Sequence, residues 1–195
     1  MKAEIPGILL AAGGSKRLSQ PKQLLKIGQS LLTNHIISII REGGIEKLFV
    51  VLGSDFDLIQ PAINDQDVLI IENKKWEEGI STSIQAGIKS LNNYFEAAML
   101  FVVDQPFLTS KLIHRLIQRF SKSDKKIAAP LVYDQQCNPV IFSKSLFPEL
   151  LDLKGNQGGK KIIKNHPVEW LRWDDEKLLL DIDTKKDYLE ILRIL

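Results

Sequence analysis

The stretch that decides the fold reads Ile8-Leu9-Leu10-Ala11-Ala12-Gly13-Gly14-Ser15-Lys16-Arg17-Leu18, followed closely by Pro21-Lys22. Its apolar first half predicts a buried strand, which then breaks into small residues. Gly13 and Gly14 carry no Cβ, so the backbone can adopt positive φ and bring N–H groups close to an anion. Ser15 adds a hydroxyl donor, and positive charge comes from Lys16, Arg17 and Lys22. The stretch therefore predicts a strand followed by a phosphate-binding loop.

The cations of this loop differ in what they offer a phosphate. Arg17 presents a planar fork that matches two phosphate oxygens, whereas a lysine acts as a mobile point charge. The loop is not a Walker A loop, because G-x-x-x-x-G-K-S/T is absent, and it lacks the G-x-G-x-x-G of the Rossmann fingerprint. A purely structural alternative is a strand that ends at a glycine turn with solvated lysines. The segment alone leaves both interpretations open.

Length and composition are those of an ordinary globular protein. The 195 residues suit one medium domain or two small ones, and 44% hydrophobic with 26% charged residues can form a full core. Without a convincing boundary or internal repeat, we expect a single domain over residues 1–195. The formal net charge of +2 creates no strong field, so composition predicts neither a nucleic acid nor a membrane partner.

Two features of the sequence bear on the compartment. Cys137 is the only cysteine, which excludes an intrachain disulfide and is compatible with a reducing compartment. The first residues lead into a strand without a signal-peptide core, and no apolar run approaches the roughly 20 residues that span a bilayer. We therefore expect a cytoplasmic protein.

Apolar runs alternate with helical segments along the chain. The runs that predict buried strands cover residues 5–12, 47–52, 68–71, 97–103 and 127–132. Helical spacing is found in residues 31–40, 80–91 and 108–120. This alternation predicts an α/β fold, with a mostly parallel sheet covered by helices on both faces. Such sheets bind ligands at the carboxyl ends of their strands, where the opening loop and Asp104 both lie.

The last third of the chain is less regular. Three glycines among lysines make residues 154–161 the expected flexible loop. Residues 168–173 and 178–182 resume the apolar pattern of strands. A closing helix is expected from Lys185, with the pair Asp183-Thr184 supplying the N-cap.

Three carboxylates are candidates for a metal site. Asp104 directly follows the apolar run 97–103, and Asp181 and Asp183 alternate with an apolar residue, so they face the same side if the segment is extended. Mg²⁺ is commonly held by one or two carboxylates together with phosphate oxygens and water. The structural alternatives are that Asp104 starts a turn before Pro106, that Asp181 is solvent-exposed, and that Asp183 caps the last helix.

Two further segments are polar and precede regular structure. Trp76-Glu77-Glu78-Gly79-Ile80-Ser81-Thr82-Ser83 opens a helix, whose first N–H groups favour an anion or the polar edge of a base. Ser81 or Ser83 is alternatively no more than an N-cap. The polar residues 136–138 lead into a strand, and structure alone explains them. His35, His114 and His166 lie far apart in sequence, so no zinc site is expected.

Taken in order, these segments resemble the molybdenum cofactor nucleotidyltransferase family, and its cytidylyltransferase branch in particular, over nearly the whole chain. The family's opening pattern, approximately L-A-A-G-x-S-x-R-x-G-x-P-K, matches residues 10–22 except at Ser19, where a glycine is usual. Asp104-Gln105-Pro106, residues 76–83, Asn138-Pro139-Val140 and Asp181-Ile182-Asp183-Thr184 also occur in the family order. The resemblance implies a three-layer, Rossmann-like nucleotidyltransferase fold.

The resemblance also implies a reaction, in which a substrate phosphate attacks the α-phosphorus of a nucleotide and pyrophosphate leaves. Arg17 would bind the β- and γ-phosphates, and Lys22 would neutralise charge at the α-phosphate. Asp104 would hold Mg²⁺, assisted by Asp181 or Asp183. The nucleotide-binding residues implied are Leu10, Ala11, Ala12, Gly13, Gly14, Ser15, Lys16 and Ser83.

The family's substrates are implied in the same way. Ala12 favours CTP over GTP, because guanylyl-transferring relatives usually have L-A-G-G at residues 10–13. The implied acceptor is a phosphorylated pterin, molybdopterin, with a molybdoenzyme as a further partner. Gly155-Asn156-Gln157-Gly158-Gly159-Lys160 departs from the family's Gly-Asp-x-Gly-Ala-Arg, which bears on the acceptor. Two alternatives keep the fold: another phosphorylated acceptor such as a sugar phosphate, and a non-catalytic cofactor carrier.

Overall fold

A computed structural model describes residues 4–91 and 94–195 of the chain. Its strands are β1 (Gly7–Ala11), β2 (Lys26–Ile27), β3 (Ser30–Leu31), β4 (Leu48–Leu52), β5 (Leu69–Glu72), β6 (Ala97–Val102), β7 (Ile127–Val132), β8 (Gln135–Gln136), β9 (Val140–Ser143) and β10 (Val168–Arg172). Its α-helices are α1 (Leu32–Glu42), α2 (Phe56–Ile59), α3 (Ile80–Lys89), α4 (Ser110–Phe120), α5 (Phe147–Leu151), α6 (Lys160–Ile163) and α7 (Lys185–Ile194).

The central sheet has the strand order β10-β7-β9-β6-β1-β4-β5. Strand β1 runs parallel to β4 and β6, as β4 does to β5 and β7 to β10. Strand β9 runs antiparallel to its neighbours β6 and β7, and the short β8 pairs with β7. The predicted mostly parallel sheet is therefore confirmed. Because β4 and β6 flank β1 on opposite sides, the loops after β1 and β6 meet at a switch point, where open α/β sheets bind ligands.

Side chains along each strand alternate between two hydrophobic cores. In β1, Leu9 lies in one core with residues of α1 and α4, whereas Ile8 and Leu10 lie in the other with residues of α3 and α5. Strands β4 and β6 divide their residues in the same way, because side chains in a strand alternate between its faces. Helices thus cover both faces, and the predicted three-layer, Rossmann-like α/β fold is confirmed.

The closing helix confirms part of the predicted N-cap. Thr184 is the N-cap of α7: its Oγ1 accepts a hydrogen bond from the Asp187 N–H at 3.2 Å, while Asp187 Oδ2 accepts one from the Thr184 N–H at 2.8 Å. This reciprocal pair is a capping box. The alternative that Asp183 caps the helix is wrong, since its side chain contacts cations of the candidate site instead.

The prediction of a strand over residues 178–182 is wrong. A 3-10 turn at Glu176–Leu179 buries Leu178. The following residues form no strand in the described part of the chain. Instead, the Ile182 N–H donates to the carbonyl oxygen of Asp104 at 2.9 Å, and the Ile182 side chain is fully buried. These contacts place the carboxylates of this segment beside the end of β6.

Two expectations from the sequence concern membrane spans and the N-terminal segment. No helix within residues 4–91 and 94–195 is long and apolar enough to cross a membrane. The expectation about the N-terminal segment involves residues 1–3, which lie outside the described residues.

Candidate active site

A cavity of about 430 Å³ lies at the carboxyl ends of β1 and β6. Most of the residues that the sequence singled out line it, namely Leu10, Ala11, Ala12, Gly13, Gly14, Lys16, Lys22, Ser83 and Asp104. The structure places Ser15, Arg17 and Asp183 beside it, through contacts with these lining residues or with one another. The apolar strand ends and the charged loop thus enclose one space.

Lys22 connects the loop to the carboxylates. Its Nζ donates to Asp104 Oδ2 at 2.9 Å and to Asp183 Oδ1 at 3.1 Å, and only 12% of its side chain is exposed. Burial alone would lower the pKa of Lys22, but the two carboxylates outweigh it and raise the pKa above its ordinary value. Lys22 is therefore a fixed positive charge in the wall of the cavity.

Arg17 is held more loosely than Lys22. It contacts Asp183 Oδ2 at 3.2 Å, and 67% of its side chain is exposed. An ion pair that is this exposed contributes little stability and constrains the side chain weakly. Arg17 can therefore leave Asp183 to follow a polyphosphate, whereas Lys22 is already in place.

The backbone of the loop differs from the expectation for its glycines. Positive φ is found at Ser15, at 45°, and not at Gly13 or Gly14. Ser15 Oγ accepts a hydrogen bond from the Lys22 N–H at 2.8 Å, which closes the loop. Gly14 is needed for a different reason: a Cβ there would lie 2.9 Å from Cζ3 of Trp76. The glycine permits a close approach to Trp76 rather than an unusual backbone angle.

Gln23 is a site residue that sequence reasoning missed. Its side chain is fully buried, and its Nε2 donates to the carbonyl oxygens of Ala11 at 2.6 Å and Gly13 at 3.1 Å. The Thr33 hydroxyl in turn donates to the Gln23 carbonyl oxygen at 3.0 Å. Gln23 therefore fixes the end of β1 where it becomes the loop. The signal available was its place directly after Lys22, in a 3-10 turn that faces inward.

The segment that precedes α3 and the first turn of that helix form another part of the cavity wall. Gly79 is the N-cap of α3, so the alternative that Ser81 or Ser83 is the N-cap is wrong. Both serines are buried, and the Asn73 amide Nδ2 donates to Ser83 Oγ at 2.9 Å. A buried hydroxyl in a cavity wall, oriented by an amide, is suited to recognising a polar ligand edge.

The carboxylates fit a Mg²⁺ ion that also binds phosphate. Asp104 and Asp183 both contact Nζ of Lys22, so the two carboxylates lie close enough together to share a cation. Within the described ranges, no group of three or more His, Cys, Asp or Glu side chains is arranged to hold a metal ion. The protein alone therefore offers no closed cage. An open site of one or two carboxylates, completed by phosphate oxygens and water, is the usual arrangement for Mg²⁺.

Asp181 lies in the same electrostatic field. Desolvation of its carboxyl, followed by the charges of Asp104 and Asp183, raises its pKa from 3.8 to about 6, although hydrogen bonding to Gln105 and the charge of Lys22 act in the opposite direction. More than a third of the residue remains open to solvent. Asp181 is thus solvent-exposed, as the structural alternative expects, but desolvation and neighbouring charges still raise the pKa of its carboxyl.

Comparison with known proteins agrees with this geometry. The model of the MobA-like NTP transferase domain matches residues 7–170. The nicotine blue oxidoreductase of Paenarthrobacter nicotinovorans is 25% identical over 96% of each chain. The crystal structure of Rv0371c from Mycobacterium tuberculosis H37Rv is 26% identical, with a TM-score of 0.88 over 99% of this chain and 100% of that chain.

Two further solved structures extend the comparison. A structure of Rv0371c in complex with manganese has a TM-score of 0.83 at 26% identity over the same shares of the two chains. The molybdopterin-guanine dinucleotide biosynthesis protein A of Archaeoglobus fulgidus shares the fold, with a TM-score of 0.75 at 15% identity over 97% of this chain and 98% of that chain. The family match covers most of the chain, including β1, its loop and Asp104. The chain belongs to the MobA-like NTP transferase family and is a nucleotidyltransferase.

Proposed function

We propose that the protein transfers CMP from CTP to molybdopterin in a Mg²⁺-dependent reaction that releases pyrophosphate. One observation carries the proposal: Lys22 Nζ contacts both Asp104 and Asp183 beside a cavity walled by the phosphate-binding loop. Positive charge for phosphates and carboxylates for a metal thus meet at one point. Nucleotidyl transfer depends on positioning and charge neutralisation more than on a protein nucleophile.

In the proposed reaction, an oxygen of the acceptor phosphate forms a bond to the α-phosphorus of CTP. The bond between that phosphorus and the oxygen bridging to the β-phosphate breaks, and pyrophosphate leaves with the electron pair. Lys22 neutralises the charge that develops at the α-phosphate, and Arg17 follows the β- and γ-phosphates. Asp104, with Asp183 or Asp181, would hold Mg²⁺, which supplies further charge neutralisation.

The nucleotide would lie against the loop and α3. Residues 10–14 and Lys16 line the cavity, and Ser83 offers a buried hydroxyl to the base. Ala12 supports CTP through the family resemblance, and its methyl group packs in the core beneath the cavity. The manganese bound to Rv0371c supports a divalent metal in this family member as well.

The proposal also includes an acceptor, a partner protein, a location and a domain organisation. A pterin acceptor is supported by the resemblance and by the shared fold of the Archaeoglobus protein. A molybdoenzyme that receives the product, a cytoplasmic location and a single domain over residues 1–195 stay predictions. The alternatives are a sugar phosphate acceptor and a non-catalytic cofactor carrier.

The test measures pyrophosphate released by the purified protein with Mg²⁺, each nucleoside triphosphate and each acceptor. We expect release with CTP and molybdopterin. Release with GTP in place of CTP would overturn the choice of base, and release with a sugar phosphate in place of molybdopterin would overturn the acceptor. Tight molybdopterin binding without any pyrophosphate would favour the carrier. Melting temperature with CTP, GTP and Mg²⁺ reports nucleotide binding independently of turnover, because a ligand of the folded state raises it.

A further inference from the structure

A separate cleft of about 360 Å³, which we call the α4 cleft, lies between the first turns of α4 and the residues that follow β10. Its lining consists of Thr109, Lys111, Arg115, Trp173, Asp174 and Asp175. None of these residues lines the cavity of the candidate active site. The volume of the α4 cleft is in the range of pockets that bind small molecules. The proposed reaction leaves this cleft without a role.

The backbone on both sides of the α4 cleft is held by hydrogen bonds to the rest of the fold. Thr109 is the N-cap of α4, and its Oγ1 accepts a hydrogen bond from the Leu112 N–H at 3.2 Å. On the other side, the Trp173 N–H donates to the carbonyl oxygen of Leu131 at 2.9 Å. The two sides are thus fixed by contacts outside the cleft, so a ligand would meet a space that is already formed.

Two cations of α4 line the cleft. The Cζ atom of Arg115 lies over the indole of Trp173, 5.5 Å from the ring centroid, which restrains the guanidinium. Among residues 4–91 and 94–195, the Arg115 side chain makes no hydrogen bond or ion pair, and neither does that of Lys111, one turn earlier on the same helix face. A planar fork of donors with a second positive charge beside it matches the oxygens of a phosphate group.

The acidic part of the lining does not neutralise these cations. Asp175 Oδ1 accepts a hydrogen bond from the Lys177 N–H at 3.1 Å, whereas the exposed Asp174 side chain has no partner in the described part of the chain. Neither carboxylate comes within ion-pair distance of Lys111 or Arg115, although all four side chains line one cleft. Opposite charges that share a cleft without pairing leave a gap, and a ligand that carries both charges fits it.

We propose that the α4 cleft binds a small phosphorylated amine, with the phosphate on Arg115 and Lys111 and the ammonium group on Asp174. Two cations favour a phosphate dianion over a carboxylate, which carries a single charge. The Trp173 ring supplies apolar surface for the carbon atoms between the two charged groups. Binding at this cleft involves no residue of the proposed reaction, so the two proposals can fail separately.

Other ligand classes fit the α4 cleft less well. A nucleic acid would bring a row of phosphates against Asp174 and Asp175, and like charges repel. A metal ion would meet two carboxylates with Lys111 and Arg115 beside them. No group of three or more His, Cys, Asp or Glu side chains that could hold a metal is found in residues 4–91 and 94–195.

The experiment titrates O-phosphoethanolamine into the isotope-labelled protein without nucleotide and follows the backbone and indole N–H signals by NMR. Inorganic phosphate and ethanolamine, which each carry one of the two charges, are titrated in parallel. We expect signals of Lys111, Arg115 and Trp173 to shift, and O-phosphoethanolamine to bind about tenfold or more tightly than either single-charge probe.

Two variants and a control separate the contributions of the two charges. Arg115→Ala should weaken O-phosphoethanolamine about tenfold, the size expected for losing a charge-assisted hydrogen bond. Asp174→Asn should weaken O-phosphoethanolamine but not inorganic phosphate, because asparagine neither attracts an ammonium group nor repels an anion. The matched control is Arg172→Ala, an exposed arginine that does not line the α4 cleft, which should leave binding unchanged.

Several outcomes would overturn the proposal. Inorganic phosphate binding as tightly as O-phosphoethanolamine contradicts the need for both charges. Shifts confined to residues 10–17 place the probe in the active site instead. Equal effects of Arg115→Ala and Arg172→Ala contradict the role of Arg115, and an equal loss of both phosphate probes in Asp174→Asn contradicts that of Asp174. No pyrophosphate measurement enters this test, so a failure of the proposed function is detected separately.

Discussion

A second cavity, of about 280 Å³, adjoins the first, the cavity of the candidate active site, and shares Leu10, Ile80, Val102 and Asn156 with it. The two cavities differ in whether their polar side chains are bonded to the protein. In the first, Ser15, Lys22, Asp104 and Asp183 are bonded to one another and to the chain around them. In the second, the side chains of Gln136, Asn138, Asn156 and Lys160 have no such bonds within the described residues. Side chains that hydrogen bonds already hold in place are suited to stabilising the charges of a reaction, which are the same in every turnover. Groups without protein partners suit recognition of one particular ligand.

The largest expected effect follows from removing the central cation of the first cavity. Lys22→Ala should lower kcat by about 100-fold or more, because in the proposed reaction Lys22 neutralises charge that develops in the transition state. Steady-state assays of pyrophosphate release would measure it. Lys26→Ala, an exposed lysine of the same N-terminal region, is the control and should keep full turnover. Full turnover in Lys22→Ala would show that the ion pairs of Lys22 with Asp104 and Asp183 do not contribute to catalysis.

A stability comparison between one glutamine of each cavity tests the difference directly. Gln23→Ala should lower the free energy of unfolding by about 2–3 kcal/mol, because it creates a buried cavity and leaves the Ala11 and Gly13 carbonyl oxygens without their donor. Gln136→Ala removes no side-chain bond and should stay within about 0.5 kcal/mol of the parent.

Urea unfolding measures both glutamine variants. For a chain of this length, the Gln23 variant should also melt roughly 4–12 °C lower. Similar losses in the two variants would mean that Gln136 is part of the structural framework, and that the two cavities are not built differently.

A smaller effect is expected at the wall that Trp76 forms. Gly14→Ala would place its Cβ 2.9 Å from the Trp76 ring, so the loop or the ring must shift, at a cost of about 1–2 kcal/mol. Gly13→Ala is a matched control, because a Cβ there has nothing within 4 Å. Thermal melts of both variants measure the difference, and an unchanged melting temperature in Gly14→Ala would contradict the close approach.

The sequence predicted the first cavity, whose polar side chains are bonded to one another, far better than the second. The apolar run of β1, the cations after it and Asp104 after β6 are local patterns, and parallel strands bring their carboxyl ends to one edge. The sheet and its covering helices follow from the same periodicities. Local patterns also explain why Thr184 was recognised as an N-cap.

What the sequence did not show depends on contacts between distant residues. Gln23 is important because it folds back onto residues 11 and 13, and no local pattern encodes that. The second cavity joins β8, β9 and the loop before α6, and its polar residues lie in separate segments. Residues 178–182 were predicted as a strand because their apolar residues alternate. The same pattern also buries Leu178 in a 3-10 turn and Ile182 in the extended stretch after it.

The smallest effect concerns Asp181, whose carboxyl is desolvated and lies near the negative charges of Asp104 and Asp183. Its pKa rises from 3.8 to about 6 in the folded protein, so folding favours the protonated form. That favourable contribution is complete below pH 3.8 and is lost as the pH rises through about 6.

Asp181→Asn lacks the ionisable group. In EDTA, its stability relative to the parent should therefore increase between pH 5 and pH 7.5, whereas Asp124→Asn, at an exposed carboxylate, should show no such trend. Urea unfolding at the two pH values measures this change, and a constant difference for Asp181→Asn would mean that folding does not raise the pKa of Asp181.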